Sequence, residues 1–195
     1  MKVAVFGALA VAGLALGFAA PQGFGIGGAP TINWTKPTEQ HAFLGTLEGL
    51  WEVEGLLHIS PGQPPMKLSG TETVRLACNG LWAQVELELG DKQLGYSARD
   101  MLGFDPQFAR YNGVHIDVGS MTVAKYEGKL STDGKTLALA GEGPDPRFKD
   151  RIAKLEQVWT FPKKGERTAK FEFLNDEGGK VPWLELTYKF KKKVK

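Results

Sequence analysis

The chain has 195 residues, of which 42% are hydrophobic and 24% charged, and a formal net charge of +2. This composition excludes a disordered, collagen-like or coiled-coil protein, and a balance so close to neutral supplies no electrostatic footprint for nucleic acid. The length suits one domain with a full core, since two would each be small.

Residues 1–20 begin with Lys2, continue as an unbroken run of small and apolar residues, and end in Ala19-Ala20 ahead of Pro21. That is the pattern of a secretory signal peptide, which implies export to the periplasm or the medium. A retained membrane anchor is the competing reading, because residues 3–20 approach the minimum spanning length of roughly 17 residues. Cys78 is the only cysteine, so no intrachain disulfide is available and packing alone must hold the fold. Its alternation with Val74 and Leu76 predicts a buried small hydrophobe rather than a reactive thiol.

Residues 21–36 read as a Gly- and Pro-rich linker. Gly23, Gly25 and Gly28 have the spacing of a dinucleotide-binding loop, but no strand precedes them and no helix follows, so the match is discarded. Asn33-Trp34-Thr35 is a glycosylation acceptor sequence. A single domain is expected over residues 37–195, opening with a helix over 37–50. Thr38 is placed to cap it, and Phe43, Leu44, Leu47, Leu50 and Trp51 recur at helical spacing. His41 on the first turn reads as a partly exposed polar residue rather than a metal or haem ligand, because no second ligand stands near it.

From Trp51 onward the hydrophobic period changes to two. Trp51, Val53 and Leu57 alternate with Glu52, Glu54 and a surface His58, and Leu81, Ala83, Val85, Leu87 and Leu89 alternate with Gln84, Glu86 and Glu88. This is the alternation of half-buried antiparallel strands. Asn79-Gly80 between two such runs is the strongest hairpin signal. Later strands are predicted over 121–130, 136–141, 154–161, 169–174 and 183–190, with the longest loop over 140–152. The pattern predicts an all-β antiparallel meander of about ten strands, preceded by one short α-helix.

Residues 102–120 gather the most chemically usable side chains. Asp105-Pro106 begins a turn that organises the hairpin, and Tyr111, Gly113, His115 and Asp117 share one face of the following strand. Tyr111, His115 and Asp117 are the candidate ligand contacts. His115 and Asp117 could share a proton, or form a satisfied polar cluster in which Asp117 accepts from backbone amides or Tyr111; two ligands are too few for a zinc site. No nucleophile elbow, histidine pair, paired-cysteine motif or phosphate loop is present, so neither metal nor cofactor is expected and the sequence leans away from an enzyme. At the end, Lys189, Lys191, Lys192, Lys193 and Lys195 form either a solvated strand end or a weak contact for an anionic membrane surface.

His41 with Leu44, Leu47, Gly49 and Trp51, then Ser69-Gly70-Thr71-Glu72, Asn79-Gly80, Leu102-Gly103-Phe104-Asp105, Arg110-Tyr111, Asp117 and Asp133-Gly134-Lys135-Thr136-Leu137 occur in an order that resembles a bacterial family catalogued as domain of unknown function 1579. The resemblance runs from about Glu39 to Lys191 and implies an exported protein without an assigned activity. That family usually carries a tryptophan where this chain has His115. Gly49-Leu50-Trp51 also resembles the start of lipocalin-like (calycin) barrels, which implies a closed barrel with Trp51 packed across one end. Neither resemblance brings catalytic residues with it. The expectation is an exported, non-enzymatic barrel that binds a small apolar or amphipathic molecule. The alternatives are a structural subunit docking at a membrane or larger assembly, and a haem protein or enzyme using His115 and Asp117.

Overall fold

The computed structural model describes residues 35–60, 62–90, 95–145, 147–148 and 151–194. The predicted signal peptide or anchor, most of the linker, and Asn33 of the acceptor sequence lie outside these residues. A 3-10 turn (Glu39–His41) leads into helix α1 (Ala42–Leu47). Ten strands follow: β1 (Gly49–Leu57), β2 (Met66–Ala77), β3 (Trp82–Leu89), β4 (Tyr96–Asp105), β5 (Arg110–Asp117), β6 (Ala124–Leu130), β7 (Thr136–Pro144), β8 (Ile152–Lys163), β9 (Glu166–Leu174) and β10 (Lys180–Lys192). Each strand pairs antiparallel with its neighbours in sequence, and β1 pairs with β10 to close the barrel. The predicted meander of about ten strands behind one short helix is therefore the observed fold.

The period of two explains the closure. Val53, Leu68, Val74, Val85, Leu87, Leu102, Leu139, Leu186 and their inward neighbours are all buried and form one core. Each such side chain contributes about 1.5–3 kcal/mol on leaving water. Closing the sheet also removes the free edges that an open meander would expose.

The helix is shorter than predicted. It ends at Leu47, and Gly49 adopts a φ of 147° that starts β1, so Leu50 and Trp51 belong to the strand. His41 is buried rather than partly exposed, because α1 lies across one end of the barrel and turns that position inward. The Thr38 N–H donates to His41 Nδ1 at 3.0 Å. Burial lowers the His41 pKa against the opposing effect of a hydrogen bond to the Phe104 backbone. Phe43 packs edge-on to both Tyr111 and Phe161, and the Tyr111 hydroxyl donates to the Gln40 carbonyl at 2.8 Å. This end of the barrel is sealed.

A buried cation sits just inside the seal. Arg167 stacks over the rings of Trp51, Trp159 and Tyr188, at 4.5, 5.2 and 4.1 Å to the ring centroids, and its Nη2 donates to Glu72. Trp51 Nε1 donates to the Leu47 carbonyl at 2.8 Å, joining the helix to the barrel wall.

Two further readings are corrected. Cys78 is exposed, because β2 ends at Ala77 and the chain leaves the sheet through a 3-10 turn in which Cys78 and Asn79 have φ of 51° and 58°. The hairpin at Asn79-Gly80 is present, with β2 and β3 meeting at Ala77 and Trp82. The loop predicted over 140–152 is shorter than expected, since β7 continues to Pro144 and β8 begins at Ile152, which leaves the connection 145–151. Gly141 and Gly143 belong to β7 because neighbouring strands pass too closely for a side chain: a Cβ at Gly141 would collide with the Lys125 carbonyl, and one at Gly143 with Ala124.

Candidate functional site

The barrel end away from α1 is bounded by the β1–β2, β3–β4, β5–β6, β7–β8 and β9–β10 connections. A cavity of about 50 Å³ lies in this mouth, lined by Tyr96, His115, Asp117, Gln157, Phe173 and Trp183, among others. Three local devices build it.

The first is register. Asp100 of β4 stands directly opposite His115 of β5, and Ala98 opposite Asp117, so two carboxylates flank one imidazole on the inner face. His115 Nδ1 lies 3.0 Å from Asp100 Oδ1 and Nε2 lies 3.4 Å from Asp117 Oδ2. The Tyr96 hydroxyl donates to Asp117 Oδ2 at 3.2 Å, and the Gly119 N–H donates to Asp117 Oδ1 at 2.9 Å. On the next strand Tyr126 stands opposite Gly113. A Cβ at Gly113 would strike the Tyr126 ring, so this glycine lets the ring lie across β5 and donate its hydroxyl to Asp100 Oδ1 at 3.2 Å.

The second device is a β-bulge in β10. Pro182 pairs with Glu172 and Leu184 with Phe171, leaving Trp183 as the extra residue. A bulge re-aims a side chain, and here Trp183 lines the cavity edge-on to Phe173, with ring centroids 6.1 Å apart. Pro182 has no N–H to donate, so the ladder is interrupted where the bulge needs it.

The third is an ion pair between two residues that follow β7. Arg147 makes a two-pronged ion pair with buried Asp145, at 2.8 Å through each nitrogen, and lies over the Phe173 ring at 5.0 Å. Burial pushes the Asp145 pKa up, but the Arg147 hydrogen bonds and charge outweigh it and hold the carboxyl below its ordinary value.

The electrostatics of the cluster follow from the two carboxylates. Burial would lower the His115 pKa, but Asp100 and Asp117 more than reverse that and raise it to about 10. Burial also pushes the Asp117 carboxyl up, and the His115 cation with the Gly119 and Tyr96 hydrogen bonds pulls it below its ordinary value. Desolvation keeps the Tyr96 and Tyr126 hydroxyls protonated, as donors. His115 is thus an imidazolium with both N–H groups engaged. It has no lone pair to offer a metal and no vacancy to accept a proton near neutral pH. Among the described residues, no group of three or more His, Cys, Asp or Glu side chains is arranged to hold a metal ion.

One polar group of the lining lacks a partner. Gln157 of β8 is 2% exposed and its Oε1 accepts no hydrogen bond. Leaving such a group unpaired costs about 1–3 kcal/mol.

Of the predicted ligand contacts, His115 and Asp117 come together in the mouth and Tyr111 does not. Tyr111 shares their inward face but lies at the sealed end, four residues away along β5, and it bonds Gln40 rather than Asp117. Asp105 holds the β4–β5 turn by accepting from the Gln107 N–H at 2.9 Å and the Phe108 N–H at 3.3 Å, with Pro106 between them. His58 is on the outer face, 3.3 Å from Glu185. Lys189, Lys191 and Lys192 lie on β10 at the sealed end, and Lys191 pairs with Glu52 at 2.9 Å. Sequence reasoning missed Asp100, Tyr126 and Gln157. All three are polar residues on the inward phase of otherwise apolar strands, and that mismatch was the available signal.

The family described as "Protein of unknown function (DUF1579)" matches residues 36–189. No curated protein matches the chain. Among solved structures, the crystal structure of Rv2717c from M. tuberculosis is similar with a TM-score of 0.61 at 12% identity, over 80% of this chain and 100% of that one. At that identity the likeness is one of fold. A protein of unknown function from the DUF3598 family of Nostoc punctiforme aligns at a TM-score of 0.37 and 15% identity, over 76% of this chain and 48% of that one. With its family match covering most of its length and its barrel closed as described, this chain belongs to the DUF1579 family of proteins of unknown function.

Proposed function

We propose that this protein is an exported, non-enzymatic barrel that binds a small amphipathic molecule in its mouth. The observation that carries the reading is the mouth cavity itself, in which buried Gln157 and the His115–Asp117 pair stand among Leu155, Phe171, Phe173, Trp183 and Leu184. Binding sites are mainly apolar with a few oriented polar groups. The cavity's 50 Å³ is far below the roughly 300 Å³ of a drug-sized pocket. The ligand therefore buries only a few heavy atoms and extends toward Thr122 and Trp183, which retain solvent exposure.

The fixed protonation of His115 favours binding over proton-transfer catalysis, and its engaged nitrogens disfavour haem ligation through this residue. Export rests on the sequence of residues 1–20. Native mass spectrometry of protein purified from its source tests the reading. A retained small molecule that is lost in Gln157→Trp, a variant that fills the cavity, is the expected result. A native protein that consistently carries none contradicts it.

A further inference from the structure

We propose that the sealed end of the barrel, through the lysines of the β8–β9 turn and the end of β10, docks on an anionic phospholipid bilayer and leaves the mouth at the opposite end open to solvent. This goes beyond the ligand reading and stands apart from it, because no residue of the mouth takes part.

Register gathers the charge. The β8–β9 turn supplies Lys163 and Lys164, and the end of β10 supplies Lys189, Lys191, Lys192 and Lys193, all of them exposed. The two elements are tied together, since the Phe190 N–H donates to the Gly165 carbonyl at 2.9 Å and Lys189 stands opposite both Glu166 of β9 and Glu52 of β1. Residues 48–52, 163–166 and 189–193, which these pairings bring side by side, carry six lysines against Glu48, Glu52 and Glu166. Glu166 engages Lys163 at 3.1 Å and Glu52 engages Lys191 at 2.9 Å. Among the described residues, no carboxylate pairs with Lys164, Lys192 or Lys193.

An unbalanced positive surface attracts anionic lipid, each lysine near the headgroups adding roughly fivefold to partition. The choice of side chain favours a bilayer over a partner of fixed shape. Arginine, with its planar fork, suits specific recognition of a carboxylate or phosphate, whereas the lysine ammonium is a hydrated point charge on a flexible stem. All six cations here are lysines. Phe190, 39% exposed in their midst and edge-on to Trp51 at 5.3 Å between ring centroids, adds an aromatic ring of the kind that settles at the headgroup boundary. Guarding a strand edge, the other use of such lysines, does not account for Lys164, which lies in a turn, and β10 is paired on both sides as far as Lys189.

The test is co-sedimentation of the protein, purified from its source, with vesicles of phosphatidylcholine alone and of phosphatidylcholine with about one-third phosphatidylglycerol. The native chain is expected to bind the anionic vesicles at least tenfold more tightly and to be released as salt rises from about 0.1 to 0.5 M. Lys164→Gln with Lys192→Gln and Lys193→Gln should lose at least tenfold. Lys67→Gln with Lys125→Gln and Lys154→Gln, which removes the same charge from exposed positions at the mouth ends of β2, β6 and β8, should bind like the native chain. Equal binding to the two kinds of vesicle overturns the proposal, and so does an equal loss in the two triple variants. Capture on immobilised polyglutamate without binding to anionic vesicles overturns it in favour of an acidic protein partner. The comparison of vesicles on the native chain decides the matter even if a variant does not fold, and its failure leaves the ligand reading of the mouth untouched.

Discussion

His115 Nδ1 and Asp100 Oδ1 lie 3.0 Å apart across the β4–β5 ladder, at positions that face each other directly in the register. With Asp117 at the other nitrogen, this contact fixes the protonation state of the mouth and so the chemistry it can perform.

The His115 proton gives a pH prediction with a definite sign. Its folded pKa, about 10, exceeds the ordinary 6.5, so protonation favours the folded state. The stabilisation is complete below about pH 6.5 and is lost as pH rises through about 10. Asp117 works in the opposite sense: its folded pKa lies below the ordinary 3.8, so its contribution is present above that value and is lost in acid. Imidazole carbon-bound proton shifts should show no titration of His115 between pH 6 and 8. A midpoint near 6.5 would refute the account of this cluster.

Removing the cation should be costly. His115→Leu leaves Asp100 and Asp117 facing each other without compensation, and breaking a buried pair in this way costs about 3–5 kcal/mol. Urea denaturation measures it. Adding Asp100→Asn to that variant should recover part of the loss, whereas an additive double variant would mean that the groups are not coupled.

At the sealed end, Arg167→Met should destabilise the barrel by about 3–5 kcal/mol, because Glu72 would lose its buried partner and burial, which already raises its pKa, would drive the carboxyl to its neutral form. Arg167→Met with Glu72→Leu should be more stable than the single variant, since matched apolar replacement of a buried pair is often neutral or better. A double variant weaker than the single one would show that Glu72 supports the barrel without Arg167, through its hydrogen bond with Tyr188.

Gly128 of β6 tests the close approach of strands. A Cβ there would collide with the Ala138 carbonyl, so Gly128→Ala should cost about 1–3 kcal/mol by overpacking. A variant with unchanged stability would contradict the tight β6–β7 crossing.

Cys78 is predicted to react with a thiol reagent in the native protein without denaturant, at a rate set by its exposure on the β2–β3 turn. Protection until unfolding would restore the buried reading.

The strand count was legible because alternation of period two is an immediate consequence of a barrel wall with one wet face. Boundaries failed where glycine carries two meanings. Gly141 and Gly143 look like loop residues in the sequence, yet they stand in β7 because a neighbouring strand occupies the space of a side chain. Cys78 followed the alternation on paper, but the strand ended one residue earlier. Periodicity reports the face of a strand and not depth along it. Tyr111 and His115 share a face, and four residues at about 3.3 Å each carry them to opposite regions of the barrel. The partners Asp100 and Tyr126 depend on register between strands, which the hydrophobic pattern of a single strand does not encode.

The most direct measurement of the central claim, that the mouth is a ligand site, is a crystal structure of the protein purified from its source. The account predicts density for a bound small molecule in the cavity between Gln157 and Trp183. A mouth filled only by water, or closed by its own side chains around a Gln157 amide that has found a partner within the protein, would contradict it.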